Sequence, residues 1–366
     1  MEKYKVGIIG GTGMVGQRFV TLMENHPWFK LTAIAASPRS AGKRYEDAVS
    51  GRWAMTTPIP EEAKDLMVLD ATADIEKIAG LVDFVFCAVD MKKDEIRALE
   101  EAYAKAEIPV ISNNSACRGI PDVPMIVPEI NAAHADVIAT QKKRLGTQRG
   151  FIAVKPNCSI QSYVPALTPL MDFVPEKVSV CTYQAISGAG KTFKTWPEMV
   201  DNVIPYIGGE DEKSENEPLK LWGELKETGD GLMIENAKLP VISAQCLRVP
   251  ASDGHMAAVS VSFKDTPTME EILSRWQSFE TIPQKLDLPS APTPFLQYFD
   301  DPTRPQTRLD RDFEKGMGIS IGRLRPDSIF DYKFVCLSHN TVRGAAGGGI
   351  LTAELLCAQG YIEPKE

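Results

Sequence analysis

The chain is 366 residues long, which exceeds what a single hydrophobic core usually supports and predicts two domains. Its net charge of −9 gives no reason to expect a nucleic-acid partner. No stretch approaches the about 20 consecutive apolar residues that a membrane helix needs, so we expect no membrane-spanning segment.

The start of the chain, MEKYKVGIIG, lacks the charged, apolar and cleavage regions of a signal peptide, because a glycine-rich turn interrupts it. We therefore expect a cytoplasmic protein. The cysteines are scattered and form no C-x-x-C pair, which argues against a metal site and against a disulfide framework. There are seven: Cys87, Cys117, Cys158, Cys181, Cys246, Cys336 and Cys357.

Strand and helix patterns alternate in the first part of the chain. In order, they are a strand at KVGIIG, a helix at MVGQRFVTLMENH, strands at LTAIAAS and DFVFCAV, a helix at KDEIRALEEAYAKAE and a strand at PVISNNS. Apolar strands that alternate with helices are typical of a parallel sheet covered on both faces. This part therefore predicts a doubly wound Rossmann domain of the α/β class.

Longer β-like runs follow residue 158: KVSVCTYQAIS, LPVISAQCLRVP, HMAAVSVSFK and YKFVCLSHNT. Between them lie a polar, acidic loop-like stretch (208–231), a helix at TMEEILSRWQSF and a proline-rich region (283–305). This pattern predicts an α+β domain with a largely antiparallel sheet. Near its C-terminal end the chain has a glycine-rich turn followed by an apolar helix, GAAGGGILTAELLCAQG.

A glycine-rich turn lies between the first predicted strand and the first predicted helix. It reads GGTGMVG and contains Gly10, Thr12, Gly13, Met14, Val15 and Gly16. Small residues let the backbone approach a pyrophosphate, and the helix N-terminus supplies amide donors and a positive dipole. A tight structural turn would look similar, but the strand and helix context favours dinucleotide binding.

The loop after the second predicted strand indicates which dinucleotide is bound. An NAD enzyme usually has Asp or Glu there to hold the ribose 2′-hydroxyl. This chain instead has Ser37, Arg39 and Ser40, with no acid among them. An arginine and two hydroxyls suit the 2′-phosphate of NADP, which a carboxylate would repel.

Cys158 stands in the stretch KPNCSIQS, between an apolar run and a segment that can start a helix. Ser159 is an acceptable N-cap, and SIQSYVPALTPLMDF predicts a helix after it. A thiol at a helix N-terminus has its pKa lowered by the dipole, and the resulting thiolate is a nucleophile. We therefore expect Cys158 to be reactive rather than a buried structural thiol.

Of the four histidines, His255 has the most suggestive position. It follows a polar turn and begins a predicted strand, in LRVPASDGHMAAVSV, which would hold an acid/base group rigidly. His26 and His134 lie in polar contexts and are expected at the surface, whereas His339 is ambiguous.

These residues belong to a series of motifs that resembles the aspartate-semialdehyde dehydrogenases, specifically the archaeal and fungal branch. In the family's order, the chain contains GGTGMVG, SPRSAGK, SNNSACRGIPDVPMIVPEIN, KPNCSIQS, YQAISGAG, NEPLK, LRVPASDGH and HNTVRGAAGG. The resemblance implies NADPH-dependent reductive dephosphorylation of L-aspartyl 4-phosphate to L-aspartate 4-semialdehyde, a step in the biosynthesis of diaminopimelate, lysine, threonine, methionine and isoleucine.

The resemblance also implies site roles. It makes Cys158 the acyl-accepting nucleophile, His255 the general acid/base and Gln184 a residue that orients the substrate. It places Arg248 on the substrate α-carboxylate, Glu217 near the ammonium, Lys220 and Arg118 on the phosphate, and Asn157 beside the nucleophile. Ser187, Gly188 and Asn340 match positions near the nicotinamide half of NADP.

Related reductases are the alternatives. A malonyl-coenzyme A reductase would keep the cysteine and the NADPH site. An N-acetyl-glutamyl-phosphate reductase usually has GCYPT at the nucleophile, and a glyceraldehyde-3-phosphate dehydrogenase prefers an acidic second strand end; neither feature is present. A non-catalytic NADP-binding sensor would not need Cys158, Gln184 and His255 together.

The expected domains are an NADP-binding Rossmann domain, residues 1–157 with 344–366, and a catalytic and dimerisation domain, residues 158–343. The resemblance implies a homodimer or a dimer of dimers. The expected ligands are small molecules: aspartyl phosphate, phosphate and NADP.

Overall fold

The computed structural model describes residues 2–365. No helix in this range is both long enough and apolar enough to cross a membrane. The strands are β1 (Tyr4–Ile9), β2 (Phe29–Ala36), β3 (Val68–Asp70), β4 (Phe84–Cys87), β5 (Val110–Ser112), β6 (Ile152–Val154), β7 (Pro175–Gln184), β8 (Glu224–Thr228), β9 (Gly231–Glu235), β10 (Val241–Arg248), β11 (His255–Phe263), β12 (Leu296–Phe299), β13 (Ile319–Pro326) and β14 (Tyr332–Ser338).

The α-helices differ widely in length, and several are single turns. They are α1 (Met14–Met23), α2 (Tyr45–Val49), α3 (Glu61–Lys64), α4 (Ile75–Ala79), α5 (Lys93–Lys105), α6 (Pro128–Asn131), α7 (Ile138–Leu145), α8 (Val164–Leu167), α9 (Glu210–Leu221), α10 (Met269–Gln277), α11 (Ile282–Lys285), α12 (Thr307–Asp310) and α13 (Gly347–Ala358). Short 3₁₀ segments connect some of them.

The first sheet is parallel throughout, with the strand order β3-β2-β1-β4-β5-β6. This is the doubly wound order of a Rossmann fold, and the prediction of that fold is confirmed. The sequence patterns miss the three-residue strands β3 and β6, although they indicate β5, which has the same length. Because all strands are parallel, their carboxyl ends meet at one edge, where ligands bind in such sheets.

The last helix, α13, packs back onto this first sheet. Its residues Ile350, Leu351 and Leu355 are buried in the same hydrophobic cluster as Phe19 and Phe86. Every residue from Gly347 to Cys357 is buried, so the helix has no solvent-exposed face. Most of its side chains are apolar on every side of the helix, and such a helix must be covered all round, which explains why the chain end returns to the core.

The second sheet has the order β10-β7-β11-β14-β13-β12. Its three central pairings are antiparallel, and its two outer pairings, β10 with β7 and β12 with β13, are parallel. The expectation of a largely antiparallel sheet therefore holds for the centre but not for the edges. Burial alternates along β11, so one face of the sheet is more exposed than the other.

Two local predictions are wrong. Residues 208–231 do not form a loop: they contain the twelve-residue helix α9, then a turn and strand β8. The long helix predicted after Cys158 is instead a 3₁₀ turn (Ser159–Gln161), α8 and a second 3₁₀ segment (Thr168–Phe173). Pro165 and Pro169 break it, because proline lacks the N–H that a continuous helix needs.

Candidate active site

The second sheet brings three of the predicted site residues to one edge. Gln184 ends β7, and Arg248 ends β10, which pairs with β7 in parallel with these two residues in register. His255 begins β11, which runs antiparallel to β7, so it starts where β7 ends. Residues that are 71 positions apart in sequence therefore become neighbours through sheet topology.

Cys158 and His255 are in contact. The distance between the Cys158 Sγ and the His255 Nε2 is 3.4 Å. The backbone N–H of Ala185 donates to the His255 Nδ1 over 3.0 Å. A neutral imidazole whose Nδ1 accepts a hydrogen bond carries its proton on Nε2, so His255 presents an N–H donor to the sulfur.

The environment of His255 keeps it neutral. Burial lowers the pKa of His255 well below its usual value, and the positive charge of Arg248 lowers it further. His255 is therefore an uncharged hydrogen-bond donor at neutral pH rather than an imidazolium. It can stabilise negative charge on sulfur, or on an oxygen that replaces the sulfur at this position, without carrying a charge itself.

The helix-dipole argument for Cys158 does not hold. Only a three-residue 3₁₀ turn follows the cysteine, and the predicted N-cap Ser159 is instead a donor. Its N–H and hydroxyl donate to the Asn157 Oδ1 over 2.8 and 2.7 Å. Burial raises the pKa of the Cys158 thiol, as does the carboxylate of Glu210, so any preference for thiolate must come from the nearby cations.

Glu210 is a central residue of the site that the sequence argument missed. Both of its carboxylate oxygens accept hydrogen bonds from the Asn157 Nδ2, at 2.9 and 3.0 Å. The Gln184 Nε2 donates to it over 3.3 Å, and Lys213 pairs with it at 2.8 Å. The available signal was helical spacing: Glu210, Ser214 and Glu217 repeat every three to four residues and form one face of α9.

Arg118 and Glu217 form an ion pair at 2.8 Å, with both side chains about nine-tenths buried. The other Glu217 oxygen accepts the backbone N–H of Asn157 over 2.6 Å. Arg118 also donates to the Asn113 carbonyl, while its buried Nε has no acceptor within residues 2–365. The structure therefore brings the predicted residues Arg118 and Glu217 together and leaves one N–H of the guanidinium without an acceptor.

The Lys220 ammonium is held by the backbone. Its ammonium donates to the carbonyls of Arg118, Ile120 and Val123 over 2.7 to 2.9 Å. Burial lowers the pKa of Lys220 to about 8. These contacts fix the loop that carries Arg118.

A cavity of about 490 Å³ lies outside the ion pair of Arg118 and Glu217. Its lining includes Lys93, Ser115, Arg118, Lys213, Glu217 and Lys220.

Gly188 packs closely against the edge of the second sheet that carries Gln184, Arg248 and His255, which we call the catalytic edge. A Cβ at this position would lie 3.0 Å from both the Arg248 Nη1 and the His255 Nε2. Any larger residue would displace one of them, which explains the glycine in the SGAG motif. Arg248 is buried, and its Nη1 donates to the Ala185 carbonyl over 2.7 Å.

Asn340 connects the catalytic edge to the carboxyl end of β14. Its Oδ1 accepts the Gly254 N–H over 2.8 Å, and its Nδ2 donates to the Ser187 Oγ over 2.9 Å. The structure thus brings Asn340, Ser187 and the residue before His255 into one hydrogen-bonded group. Gly188 follows Ser187 in the same short segment.

The glycine-rich turn has the geometry of a phosphate cradle. Gly10 has a φ of +87°, and a Cβ there would lie 2.3 Å from the Ala88 carbonyl oxygen. A Cβ on Gly16 would lie 2.3 Å from the Gly10 carbonyl oxygen, so only glycine closes the turn. Gly13 is the N-cap of α1, and no side chain caps that helix. Thr12 lies in the turn, Met14 and Val15 begin α1, and the free amide donors at this helix start fit a pyrophosphate.

The loop after β2 lies beside this turn, because the Gly10 and Gly11 N–H groups both donate to the Ala35 carbonyl. Arg39 and Ser37 are exposed, and Arg39 forms no ion pair within the described residues. Ser40 is buried and accepts a hydrogen bond from Arg52 over 3.0 Å. An uncommitted guanidinium without a nearby acid on the loop fits a ribose 2′-phosphate.

The expectation of surface positions for His26 and His134 is wrong, since both are buried. The His26 Nε2 contacts Glu354 at 2.8 Å, and the His134 Nε2 contacts the Gly223 carbonyl at 3.0 Å. Both histidines connect separate segments of the chain. Polar sequence context failed here because these imidazoles satisfy buried groups rather than water.

The fold and the site define an oxidoreductase of the semialdehyde dehydrogenase class, and the family models agree. Residues 5–138 match the model described as "Semialdehyde dehydrogenase, NAD binding domain". Residues 167–343 match "Semialdehyde dehydrogenase, dimerisation domain".

Similar proteins narrow the assignment. The aspartate-semialdehyde dehydrogenase of Aspergillus fumigatus is 44% identical, over 98% of this chain and 99% of that protein. The Archaeoglobus fulgidus enzyme of the same name is 43% identical, over 98% and 100%. A crystal structure of the Candida albicans enzyme with NADP has a TM-score of 0.87 at 37% identity, covering 99% of this chain and 100% of that one. The chain belongs to the aspartate-semialdehyde dehydrogenase family.

Proposed function

We propose that the protein catalyses NADPH-dependent reductive dephosphorylation of L-aspartyl 4-phosphate to L-aspartate 4-semialdehyde, through a thioester on Cys158. The observation that carries this proposal is the 3.4 Å contact between the Cys158 Sγ and an imidazole that holds its proton on Nε2. A nucleophile beside a neutral donor, with arginines nearby, suits acyl transfer from an anionic substrate.

The chain's residues fit NADP, which supplies a hydride when it is bound in reduced form. The turn of Gly10, Gly13 and Gly16 would hold the pyrophosphate, and Thr12, Met14 and Val15 would contribute the neighbouring backbone. Arg39, with Ser37 and Ser40, would hold the 2′-phosphate. Ser187, Gly188 and Asn340 would lie near the nicotinamide, because they border His255.

The substrate carries a carboxylate, an ammonium and a phosphate, and the site offers a counter-charge for each. Arg248 would take the α-carboxylate, and the guanidinium of Arg118, whose buried Nε has no acceptor within residues 2–365, would take the phosphate. Glu217 is the proposed partner of the ammonium, and Glu210 is a second carboxylate at the same face of α9. Lys220 would act on phosphate binding by holding the Arg118 loop.

In the first step, the Cys158 sulfur forms a bond to the acyl carbon, and the bond from that carbon to the phosphate oxygen breaks. Phosphate leaves with the electron pair, next to Arg118, and the cavity of about 490 Å³ outside Arg118 is its proposed exit. Asn157 and Gln184, both fixed by Glu210, would position the substrate beside the sulfur. The product of this step is a thioester.

In the second step, the thioester carbon is reduced to a tetrahedral oxyanion. The Nε2–H of His255 lies close enough to the sulfur to donate to this oxygen and stabilise its charge. When the carbonyl re-forms, the carbon–sulfur bond breaks and the aldehyde leaves. Sulfur departs as thiolate, to which the same Nε2–H can donate again, so the resting state is restored.

The assembly is proposed to be a homodimer, or a dimer of dimers. The residues matched by the dimerisation-domain model include apolar side chains that lie exposed in the single chain: Val200, Val203, Tyr206 and Val241. Exposed apolar groups of this kind mark interaction surfaces. Light scattering on the purified protein gives the oligomeric state.

We propose that residues 158–343 form the catalytic and dimerisation domain, and that residues 1–157 with 344–366 form the NADP-binding domain.

The substrate assignment is tested by comparing two reactions of the wild-type protein. One is NADP reduction with aspartate semialdehyde and phosphate; the other is NADPH oxidation with malonyl-coenzyme A. We expect turnover only in the first, because malonyl-coenzyme A has no ammonium for Glu217. Turnover in the second reaction alone would overturn the substrate while leaving the cofactor and Cys158 in place.

The role of Cys158 is tested separately. Cys158→Ala should abolish turnover but keep NADP binding, and Cys181→Ala, which changes a partly exposed cysteine on β7, should keep both. Substantial activity in Cys158→Ala would exclude the thioester route.

A further inference from the structure

Lys155 is a buried cation that the mechanism above does not use. It follows β6 directly, three residues before Cys158, and its side chain is only 2% exposed. Its backbone N–H donates to the Ser112 carbonyl over 2.9 Å, which fixes it at the carboxyl edge of the first sheet. Its ammonium donates to the carbonyl of its own neighbour, Pro156, over 2.8 Å.

Two other deeply buried cations of this region have several partners each. Arg343 pairs with both carboxylate oxygens of Glu129, and Lys220 donates to three carbonyls. Lys155 forms no ion pair within residues 2–365 and has the single carbonyl acceptor. A buried ammonium is costly unless an anion compensates it, so an anion that is not a carboxylate is expected nearby.

Lys155 and Cys158 pack against the same glycine-rich segment. A Cβ on Gly344 would lie 2.9 Å from the Cys158 Cβ, and a Cβ on Gly348 would lie 3.4 Å from the Lys155 Cδ. These two glycines are four residues apart in the segment that leads into α13. Cys158 and the Lys155 side chain therefore pack against the same segment, at positions four residues apart.

We infer that Lys155 is a positioning residue that favours the thiolate form of Cys158, the form that attacks the substrate. This inference rests on the proposed function, in which Cys158 is the nucleophile. His255 cannot take the thiol proton on Nε2 while the Ala185 N–H occupies its Nδ1. The negative charge on sulfur therefore needs a cation. Arg248 also has no carboxylate partner within residues 2–365, but the proposed function assigns it to the substrate α-carboxylate, as it assigns Arg118 to the phosphate. Lys155 is the cation that remains.

Burial and Glu210 together hold the pKa of Cys158 above its usual value, and the charge of Lys155 opposes them. Besides burial and Glu210, which raise the pKa of Cys158, the charges of Lys155, Arg118 and Arg248 lower it, and Lys155 has the largest effect of the three. Burial lowers the pKa of Lys155 to about 7, as do Arg118 and Arg343, whereas Cys158 and Glu217 raise it. The effect is reciprocal: a thiolate favours the ammonium, and the ammonium favours the thiolate.

The test is the pH dependence of Cys158 alkylation by iodoacetamide, followed by mass spectrometry of the peptide that contains Cys158. It needs no substrate, so its outcome is independent of which acyl phosphate is reduced. Lys155→Met and Lys155→Gln should both move the midpoint to higher pH and slow alkylation at pH 7 by about tenfold. Gln can still donate to the Pro156 carbonyl. The Gln variant therefore controls for a packing defect in the Met variant.

Two controls separate charge from packing. Lys155→Arg keeps the charge and should keep the midpoint close to that of the wild type. Lys142→Met removes a partly buried lysine whose charged neighbours are Glu107, Arg149 and Glu363, and should change nothing. The inference is overturned if the Met and Gln variants keep the wild-type midpoint, or if Arg shifts it as much as Met does.

Discussion

The cofactor turn and the catalytic edge are built in different ways. The turn from Gly10 to Gly16 is contiguous in sequence, and it offers a ligand mainly backbone N–H groups. The catalytic edge combines the ends of β7 and β10, the start of β11, one face of α9 and the segment around Cys158. Its chemistry depends on side chains that only the tertiary fold brings together.

This difference determines how each region responds to change. In the turn, a substitution acts through steric contact with the backbone, as the 2.3 Å approaches at Gly10 and Gly16 show. At the catalytic edge, the polar groups share partners: Glu210 serves Asn157, Gln184 and Lys213, and Glu217 serves Arg118 and Asn157. Loss of one group there should disturb several others, whereas the side chains of the cofactor loop should act more independently.

After Cys158, the largest effect is expected at His255. Removing the Nε2–H in His255→Ala should lower kcat by about 10²- to 10⁴-fold, because the oxyanion and the departing thiolate both lose their donor. His255→Gln places an amide N–H at a similar distance along the side chain and should recover part of the loss. Steady-state kinetics measures both. Equal losses in the two variants would mean that the imidazole acts by transferring a proton rather than by donating a hydrogen bond.

A smaller effect is expected for Glu217→Ala, which removes the proposed partner of the substrate ammonium. The loss in kcat/KM for aspartate semialdehyde oxidation should be on the order of 2–5 kcal/mol, because Arg118 also loses its ion-pair partner. Glu227→Ala, on the exposed strand β8, is the matched control. If Glu217→Ala retains wild-type kinetics, the ammonium is recognised elsewhere, and Glu210 becomes the candidate.

Arg39→Ala tests whether the cofactor loop acts independently. It should weaken NADPH binding by about 1.5–3 kcal/mol, the range for a charged hydrogen bond, and leave NADH binding nearly unchanged. Arg44→Ala, which removes an exposed arginine already paired with Asp65, should affect neither cofactor. Fluorescence titration gives the dissociation constants. An equal loss for both cofactors would show that Arg39 is structural.

The smallest effect concerns stability as the pH falls. In the folded protein the pKa of His255 is well below its usual value, so the imidazole stays neutral, whereas in the unfolded chain it binds a proton near pH 6.5. Below pH 6.5 this protonation stabilises the unfolded state, and the unfolding free energy of the wild type falls by about 1.4 kcal/mol per pH unit. His255→Gln should lose less stability between pH 6.5 and 5.5 in urea unfolding. Parallel curves for the two proteins would contradict the burial of a neutral imidazole.

Sequence patterns were sufficient for the parallel sheet, the glycine turn and the long strands, because these depend on short-range periodicity and on glycine spacing. They failed where long-range packing decides. The acidic composition of residues 208–231 concealed α9, and with it Glu210. Two prolines broke the helix predicted after Cys158, and burial then reversed the expected direction of the thiol pKa. The sequence assigned no function to Lys155, because only the fold shows that this residue is buried without a carboxylate partner.

The central claim, a thioester on Cys158, is tested most directly by mixing the enzyme with NADP and aspartate semialdehyde without phosphate. The aldehyde carbon is then oxidised to the thioester and NADP is reduced, but no phosphate is present to release the acyl group. The account predicts a rapid burst of about one NADPH per active site, an acyl mass increase on the Cys158 peptide, and neither in Cys158→Ala. Phosphate added afterwards should restore turnover. A wild-type enzyme that shows no burst, or an acyl group found on another residue, would contradict it.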